Sequence, residues 1–500
     1  MHEMFKKILA KKFAVSLALI LIISFILRFI NYANRWGLAY DQAHDALLAR
    51  YAISVWHLPL VGPFASGAQF QTSGLWYWFL MIATLIYPPS VITPWLIITL
   101  SYALFVLLMV LIGKELEGKY FGLLVGVLTA VSTAQIAQAT NLTLTAPMCF
   151  ISALAILTFI KYSKTKQKKY LFLLGLSFGL APTTHLQGVL LIIVLPIFLL
   201  TLKIKDVKSW AILILGLIIP TIPLIIFDFR NNFVNSLGLI NYLLHGQYKT
   251  SYDALGRRWS TYLTVFWPHA WALIIGGYTA IAYLTGLLFS LLLIEKIFKR
   301  DINKLWIALA GSLILIAIAM RYVRNPLFDS YLVFLHPFIL LFSALAIFWL
   351  WKKNLYLGLL LLLLLAIGSL RQDYSIILNS TNTTAAIASS WQNTLVHKYP
   401  NQKFAIYDYN YKAAGYSLPL SLYLESQNKL DDNGLKIGIM QATKGAMLQF
   451  SALPTINSGN DNYQIFDMNS SNSAELIKNG WVSVNPSSVY KAVEDWHKNK

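Results

Sequence analysis

The chain has 500 residues, of which 57% are hydrophobic and 12% charged, and its formal net charge is +19. A soluble protein of that composition would lack the polar surface to cover its core, so lipid is the solvent for most of this chain. The charge is not a nucleic-acid signal: residues 372–500 hold 10 Lys and 10 Asp+Glu, leaving 30 basic against 11 acidic residues in the apolar part, where loop charge sets orientation.

From the N-terminus, MHEMFKKILAKK precedes a long apolar run with no small-residue cleavage site after it, which reads as an uncleaved first span with a basic cytoplasmic tail. Basic clusters then recur at Lys114 with Lys119, Lys161 to Lys169, Lys203 to Lys208, Lys296 to Lys304, and Lys352 with Lys353. Each pair of clusters encloses two crossings of about 30 Å of hydrocarbon. This places spans near 13–30, 93–112, 120–140, 146–160, 170–183, 187–202, 209–227, 271–294, 305–320, 332–350 and 355–370, eleven in all. The shorter apolar segment 75–88 would break the charge alternation as a span, and it reads as a re-entrant or interfacial helix. Its aromatics, in QTSGLWYWF, suit the interfacial belt better than a sugar-stacking platform.

The expected fold class is an all-α polytopic membrane protein with a small C-terminal extracytoplasmic α/β domain. Residues 1–370 form the membrane domain, with a first outer loop at 31–92, and residues 371–500 the soluble domain. The N-terminus lies in the cytoplasm and the C-terminus outside. The lone cysteine, Cys149, excludes an internal disulfide and a cysteine metal cluster.

No span carries Asp, Glu, Lys or Arg at its apolar centre, which counts against a proton- or ion-coupled transporter. The ionisable groups gather instead at the outer ends of helices. The first loop reads GLAYDQAHDALLAR, with Asp41, His44, Asp45 and Arg50. Helical spacing puts Asp41 and Asp45 on one face, about 5–6 Å apart at Cβ. Two carboxylates so placed repel unless a cation such as Mg²⁺ or Mn²⁺ sits between them or one pKa rises. The first suits a phosphate leaving group and the second a general base. The plainer reading is that Asp41 is an N-cap and Asp45 a solvated first-turn acid. His185, in the turn APTTHLQG, reads as a turn histidine facing the headgroups ahead of a catalytic one. Arg257, Arg258 and Arg324 read as phosphate clamps or interfacial anchors.

The order of these features resembles the GT-C superfamily of membrane glycosyltransferases, and within it the family 39-like enzymes that include protein O-mannosyltransferases and aminoarabinose transferases. The resemblance runs from about residue 13 to 350 and rests on YDQAHDALLAR with HLPLVGP, GLWYWF, STAQIAQATNLTLTAP, GLSFGLAPTTHLQG, PLIIFDFRNNF and FDSYLVFLHPFILL. It implies inverting transfer of a hexosyl or pentosyl group from a polyprenyl-phosphate donor, at the extracytoplasmic face, to an acceptor hydroxyl on protein, lipid or glycan. The base would be Asp41, supported by Asp45, His44 and His185. On the chemistry of the residues themselves, Arg50, Arg257, Arg258 and Arg324 would face the donor phosphate, and a divalent cation would sit on Asp41 and Asp45. Where relatives have Asp-Glu this chain has Asp41-Gln42, so the second acid falls to Asp45, and Asn141 and Thr145 stand where relatives often carry another acid. The chief alternative is a transporter or flippase of lipid-linked saccharides, and a further one is a membrane scaffold whose tail binds a partner.

Overall fold

The computed structural model describes residues 2–65, 69–246, 259–322, 329–442, 455–456, 462–469 and 471–495. The chain forms two compact units: the first is Met1–Tyr32, Phe64–Ser73 and Ile98–Ser380, the second Ala33–Pro63, Gly74–Ile97 and Thr381–Lys500.

Seven of the described helices are long and apolar enough to cross a membrane, among them Thr93–Glu117, Met148–Thr165 and Thr279–Phe298. Shorter apolar helices such as Lys119–Ala130 and Lys304–Met320 accompany them. Leu359, Leu360, Leu363, Leu364 and Ile367 on one of the long helices are exposed, a face that only lipid would cover.

In the first unit the helices match the expected spans closely, with departures that have local causes. The expected span 120–140 breaks where Ser132 caps a separate short helix, Thr133–Gln138, its hydroxyl accepting from the Gln135 N–H. The span 187–202 is divided into Val189–Ile192 and Leu195–Leu202, with Pro196 opening the second piece. The span placed at 271–294 is corrected: one helix ends at Ile275 and another runs Thr279–Phe298. Gly276 (φ 78°) and Gly277 (φ 94°) take the left-handed region between them. A Cβ on Gly276 would lie 2.2 Å from Ser369 Oγ, so this break lets a neighbouring helix approach closely.

Ion pairs tie the basic clusters together at one end of this unit. Lys161 meets Glu115 at 2.7 Å, Lys168 meets Asp206 at 3.0 Å, Lys352 meets Glu117 at 3.7 Å, and Lys353 pairs with Glu295. Five of the six clusters that loop charge assigns to a single side of the membrane are thus joined in space. Elsewhere Arg28, fully buried, donates to the Ala130 carbonyl at 3.1 Å and the Thr129 carbonyl at 3.2 Å, closing the C-terminus of Lys119–Ala130 with a cation.

The second unit holds a five-stranded sheet in the order Thr455–Ile456, Tyr463–Asp467, Leu435–Gln441, Phe404–Tyr409, Trp481–Ser483. The central pair is parallel, with Phe404 opposite Leu435 and Asp408 opposite Ile439; the other pairings are antiparallel. A parallel pair needs a crossover, supplied here by the helix Ala414–Ser426. Phe404, Ala405 and Ile406 are all buried, as expected of a strand covered on both faces. The helices Ala414–Ser426 and Pro486–Glu494 pack on a third helix, Tyr40–Ser54, which carries the GLAYDQAHDALLAR motif. First-loop and tail segments therefore share one folded unit, and the tail is the small α/β element expected of it.

Candidate active site

The helix Tyr40–Ser54 begins from Ala39, whose extended backbone (φ −140°, ψ −172°) supplies no side-chain cap. Asp41 thus stands in the first turn rather than at the cap position. From Gln42 to Ala52 most residues are buried, including Asp45 at 5% and Arg50 at 8% exposure, whereas Asp41 is exposed. A helix this polar is stable when buried only if its charged groups find partners.

Asp45 has them. Its Oδ2 accepts from Trp76 Nε1 at 2.8 Å, and its Oδ1 from Tyr77 Oη at 3.3 Å and lies 3.0 Å from His44 Nδ1. Trp76 and Tyr77 belong to the helix Leu75–Ile86 and are both buried. The aromatics of GLWYWF are therefore not simply an interfacial belt: two of them hold a carboxylate, and Trp78 donates to the Pro59 carbonyl at 2.7 Å. Gly74 makes this possible, because a Cβ there would fall 1.9 Å from the Pro59 carbonyl oxygen. The signal was in the sequence, since a buried Trp or Tyr needs an acceptor for its polar hydrogen, and Asp45 is the nearby acid.

Asp41 has no such partners: among the described residues its carboxylate makes no hydrogen bond or ion pair. Desolvation beside the packed helices raises its pKa, the charge of Asp45 raises it further, and His44 opposes both. The His44 ring stacks on Tyr40, with centroids 6.1 Å apart.

Arg50 donates to the Ser90 carbonyl at 2.9 Å. Burial lowers its pKa and the charge of Glu425 works against that. These partners all belong to the second unit. In the first unit, His185 ends the helix Lys168–Thr184, its Nδ1 accepts from the Gln187 N–H at 3.3 Å, and its ring lies 5.1 Å from that of Tyr331. Burial lowers its pKa to about 4, so it is neutral near pH 7. The acid of PLIIFDFRNNF, Asp228, accepts from the Asn235 N–H at 2.9 Å and the Ser236 N–H at 3.1 Å, so it caps the helix Val234–Leu244. Arg257, Arg258 and Arg324 lie outside the described residues.

Asp41 and Asp45 are the acids a divalent cation would meet here. Both oxygens of Asp45 are already engaged by N–H and O–H donors, and among the described residues no three His, Cys, Asp or Glu side chains gather to hold a metal. These donors do not fit a tightly held cation, and no step below runs through one.

Residues 72–227 match the family described as dolichyl-phosphate-mannose-protein mannosyltransferase, a stretch that takes in GLWYWF and the His185 hairpin. No curated protein matches the chain. Among solved structures, it is similar to the crystal structure of ArnT from Cupriavidus metallidurans bound to undecaprenyl phosphate, with a TM-score of 0.66 at 10% identity over 91% of this chain and 97% of that one. It is also similar to the Archaeoglobus fulgidus oligosaccharyltransferase in complex with zinc and sulfate, with a TM-score of 0.52 at 14% identity over 85% of this chain and 68% of that one. The likeness to these solved structures shows that the chain shares their fold.

Proposed function

We propose that the chain is a membrane glycosyltransferase that moves a sugar from a polyprenyl-phosphate donor to an acceptor hydroxyl at the extracytoplasmic face, with inversion and with Asp41 as base. The family match and the fold support transfer of a lipid-linked sugar, and the undecaprenyl phosphate in the ArnT structure supports a donor of that class. The observation that carries the assignment of the base is the contrast between two acids on one helix. Asp45 is buried and bonded at both oxygens, whereas Asp41 is exposed, unengaged among the described residues, and has a raised pKa.

In the reaction the acceptor oxygen attacks the anomeric carbon from the face opposite the leaving group, and its proton passes to Asp41. The bond from the anomeric carbon to the phosphate oxygen breaks, and the lipid phosphate leaves with the bonding electrons. A phosphate is a good leaving group, so the need is for a positioned base and for charge stabilisation. Asp45, four residues along the helix, adds to the rise of the Asp41 pKa, which favours a base over a permanently ionised surface acid. Arg257, Arg258 and Arg324 are the cations we assign to the departing phosphate. The basic clusters joined at one end of the first unit support a cytoplasmic end there.

The test is to supply purified protein with a panel of polyprenyl-phosphate sugars and measure released lipid phosphate. Asp41→Asn is expected to abolish release while the protein accumulates normally, and full activity in that variant sinks the assignment. Movement of intact donor across a bilayer without bond cleavage would instead identify a flippase. Addition of EDTA is expected to leave the rate unchanged, and loss of activity restored by Mg²⁺ or Mn²⁺ would return a cation to the site.

A further inference from the structure

At the carboxyl end of the strand Phe404–Tyr409, two consecutive residues with a Cβ, Asn410 (φ 51°) and Tyr411 (φ 57°), take the left-handed conformation. Such a conformation persists only where surrounding structure over-determines it, and it concentrates at functional sites. Here the turn is tied on both sides. The Asn410 N–H donates to the Gly480 carbonyl at 2.8 Å, and the buried Asp408 accepts from the Ala413 N–H at 3.0 Å and from Ser417 Oγ at 2.6 Å. The carboxyl ends of parallel strands are also where open α/β sheets bind ligands.

What the turn presents is Tyr411, edge-on to Tyr40, with ring centroids 5.8 Å apart and hydroxyl oxygens 3.3 Å apart. Tyr40 stacks on His44 and directly precedes Asp41 in the first turn of its helix, which puts the tyrosine pair at the helix end that carries the base. Two hydroxyls that share one hydrogen bond place one proton between the oxygens and leave the other directed elsewhere. Neither tyrosine has another hydrogen-bond partner among the described residues. Burial raises the Tyr411 pKa, so its hydroxyl keeps its proton. Tyr40 itself is 38% exposed.

We propose that Tyr40 and Tyr411 form the acceptor subsite beside Asp41, and that the acceptor is a saccharide. A sugar ring has a flat C–H face to lay on an aromatic ring and a rim of hydroxyls to take the leftover phenolic proton. An extended peptide would want a row of backbone donors and acceptors along a sheet edge, which two tyrosine rings do not offer. The tail thereby reads the acceptor while the first-loop helix holds the base. The inference rests on Asp41 being that base.

The experiment uses the full-length protein with a donor that the panel above identifies, and offers it a glycolipid, an oligosaccharide and a Ser/Thr-containing peptide. We expect transfer to a saccharide. Tyr411→Phe should raise the acceptor KM about threefold to tenfold, the loss of one neutral hydrogen bond, with kcat, donor KM and donor hydrolysis by water within twofold of wild type. Tyr411→Ala should raise it further, and a melting temperature near wild type for Tyr411→Phe separates the effect from misfolding. Transfer to the peptide alone, or an acceptor KM unmoved by both variants, overturns the acceptor subsite while lipid-phosphate release still upholds the enzyme. Absence of lipid-phosphate release with every donor overturns the enzyme itself and the subsite with it.

Discussion

Trp76 gives its indole N–H to Asp45 Oδ2 at 2.8 Å, and this bond separates the roles of two aspartates four residues apart. Asp45 is a buried acceptor that joins two helices, so Asp45→Ala would leave Trp76 Nε1 and Tyr77 Oη without it in a buried site. An unsatisfied buried donor costs about 1–3 kcal/mol. We expect Asp45→Ala to lower the melting temperature in detergent by several degrees, and Asp45→Asn to lower it less because it keeps one acceptor oxygen. Asp41→Asn should leave the melting temperature unchanged or slightly higher. Equal destabilisation by substitutions at both positions would remove the distinction.

With Asp41 as the proposed base, the pH dependence of transfer follows. Its folded pKa lies above the usual aspartate value, so the deprotonated form is lost at a higher pH than an ordinary surface aspartate would allow. The rate is expected to fall as pH drops through that raised value. Removing the Asp45 charge while keeping its shape, in Asp45→Asn, should move the acid limb to lower pH, because a contribution that raises the Asp41 pKa is gone. His185, whose pKa burial lowers to about 4, belongs to the other folded unit, and His185→Asn should leave the limb in place. Assays of kcat/KM across pH 4–8 read both outcomes, and a limb that moves with His185 rather than Asp45 would reassign the titrating group.

Much of the fold was legible because lipid imposes a simple rule: apolar runs cross, and basic clusters stay on one side. What escaped were features that depend on contact between distant segments. Gly276 and Gly277 lie inside the single span expected at 271–294, and the close approach of Ser369 explains why a helix ends there. Asp41 and Asp45 were visible as a pair, but spacing alone gives two acids on one face equal claims. Their separation came from Trp76 and Tyr77, about thirty residues further on, whose polar hydrogens chose Asp45. Arg50 lies in the same motif, yet the carbonyl of Ser90 and the charge of Glu425 define its role.

Arg28 supplies a third prediction. Its guanidinium closes the C-terminus of Lys119–Ala130 from a helix more than a hundred residues earlier in the chain, and the side chain is fully buried. Hydrogen bonds to a charged group contribute about 1.5–3 kcal/mol, and the freed carbonyls have no water nearby if the site is in the bilayer. Arg28→Ala should therefore reduce the yield of folded protein and the detergent melting temperature more than Arg28→Lys, which retains a donor. Wild-type stability in Arg28→Ala would show that the carbonyls are satisfied by other means.

Glu494 gives a stability test independent of activity. Burial raises its pKa to about 7, helped by the charge of Asp495, and among the described residues its Oε1 is a buried oxygen without a hydrogen-bond partner. An acid whose folded pKa exceeds its unfolded value holds its proton more tightly in the folded state. Stability therefore falls as pH rises from the ordinary glutamate pKa through about 7, and the penalty is fully present above that. Glu494→Gln mimics the protonated form at every pH and removes this slope. The variant should melt close to wild type at pH 4 and above it at pH 8, with the gap opening between pH 5 and 7. Thermal unfolding of both proteins across that range provides the measurement, and a gap that stays constant with pH would mean that Glu494 is solvated in the folded protein.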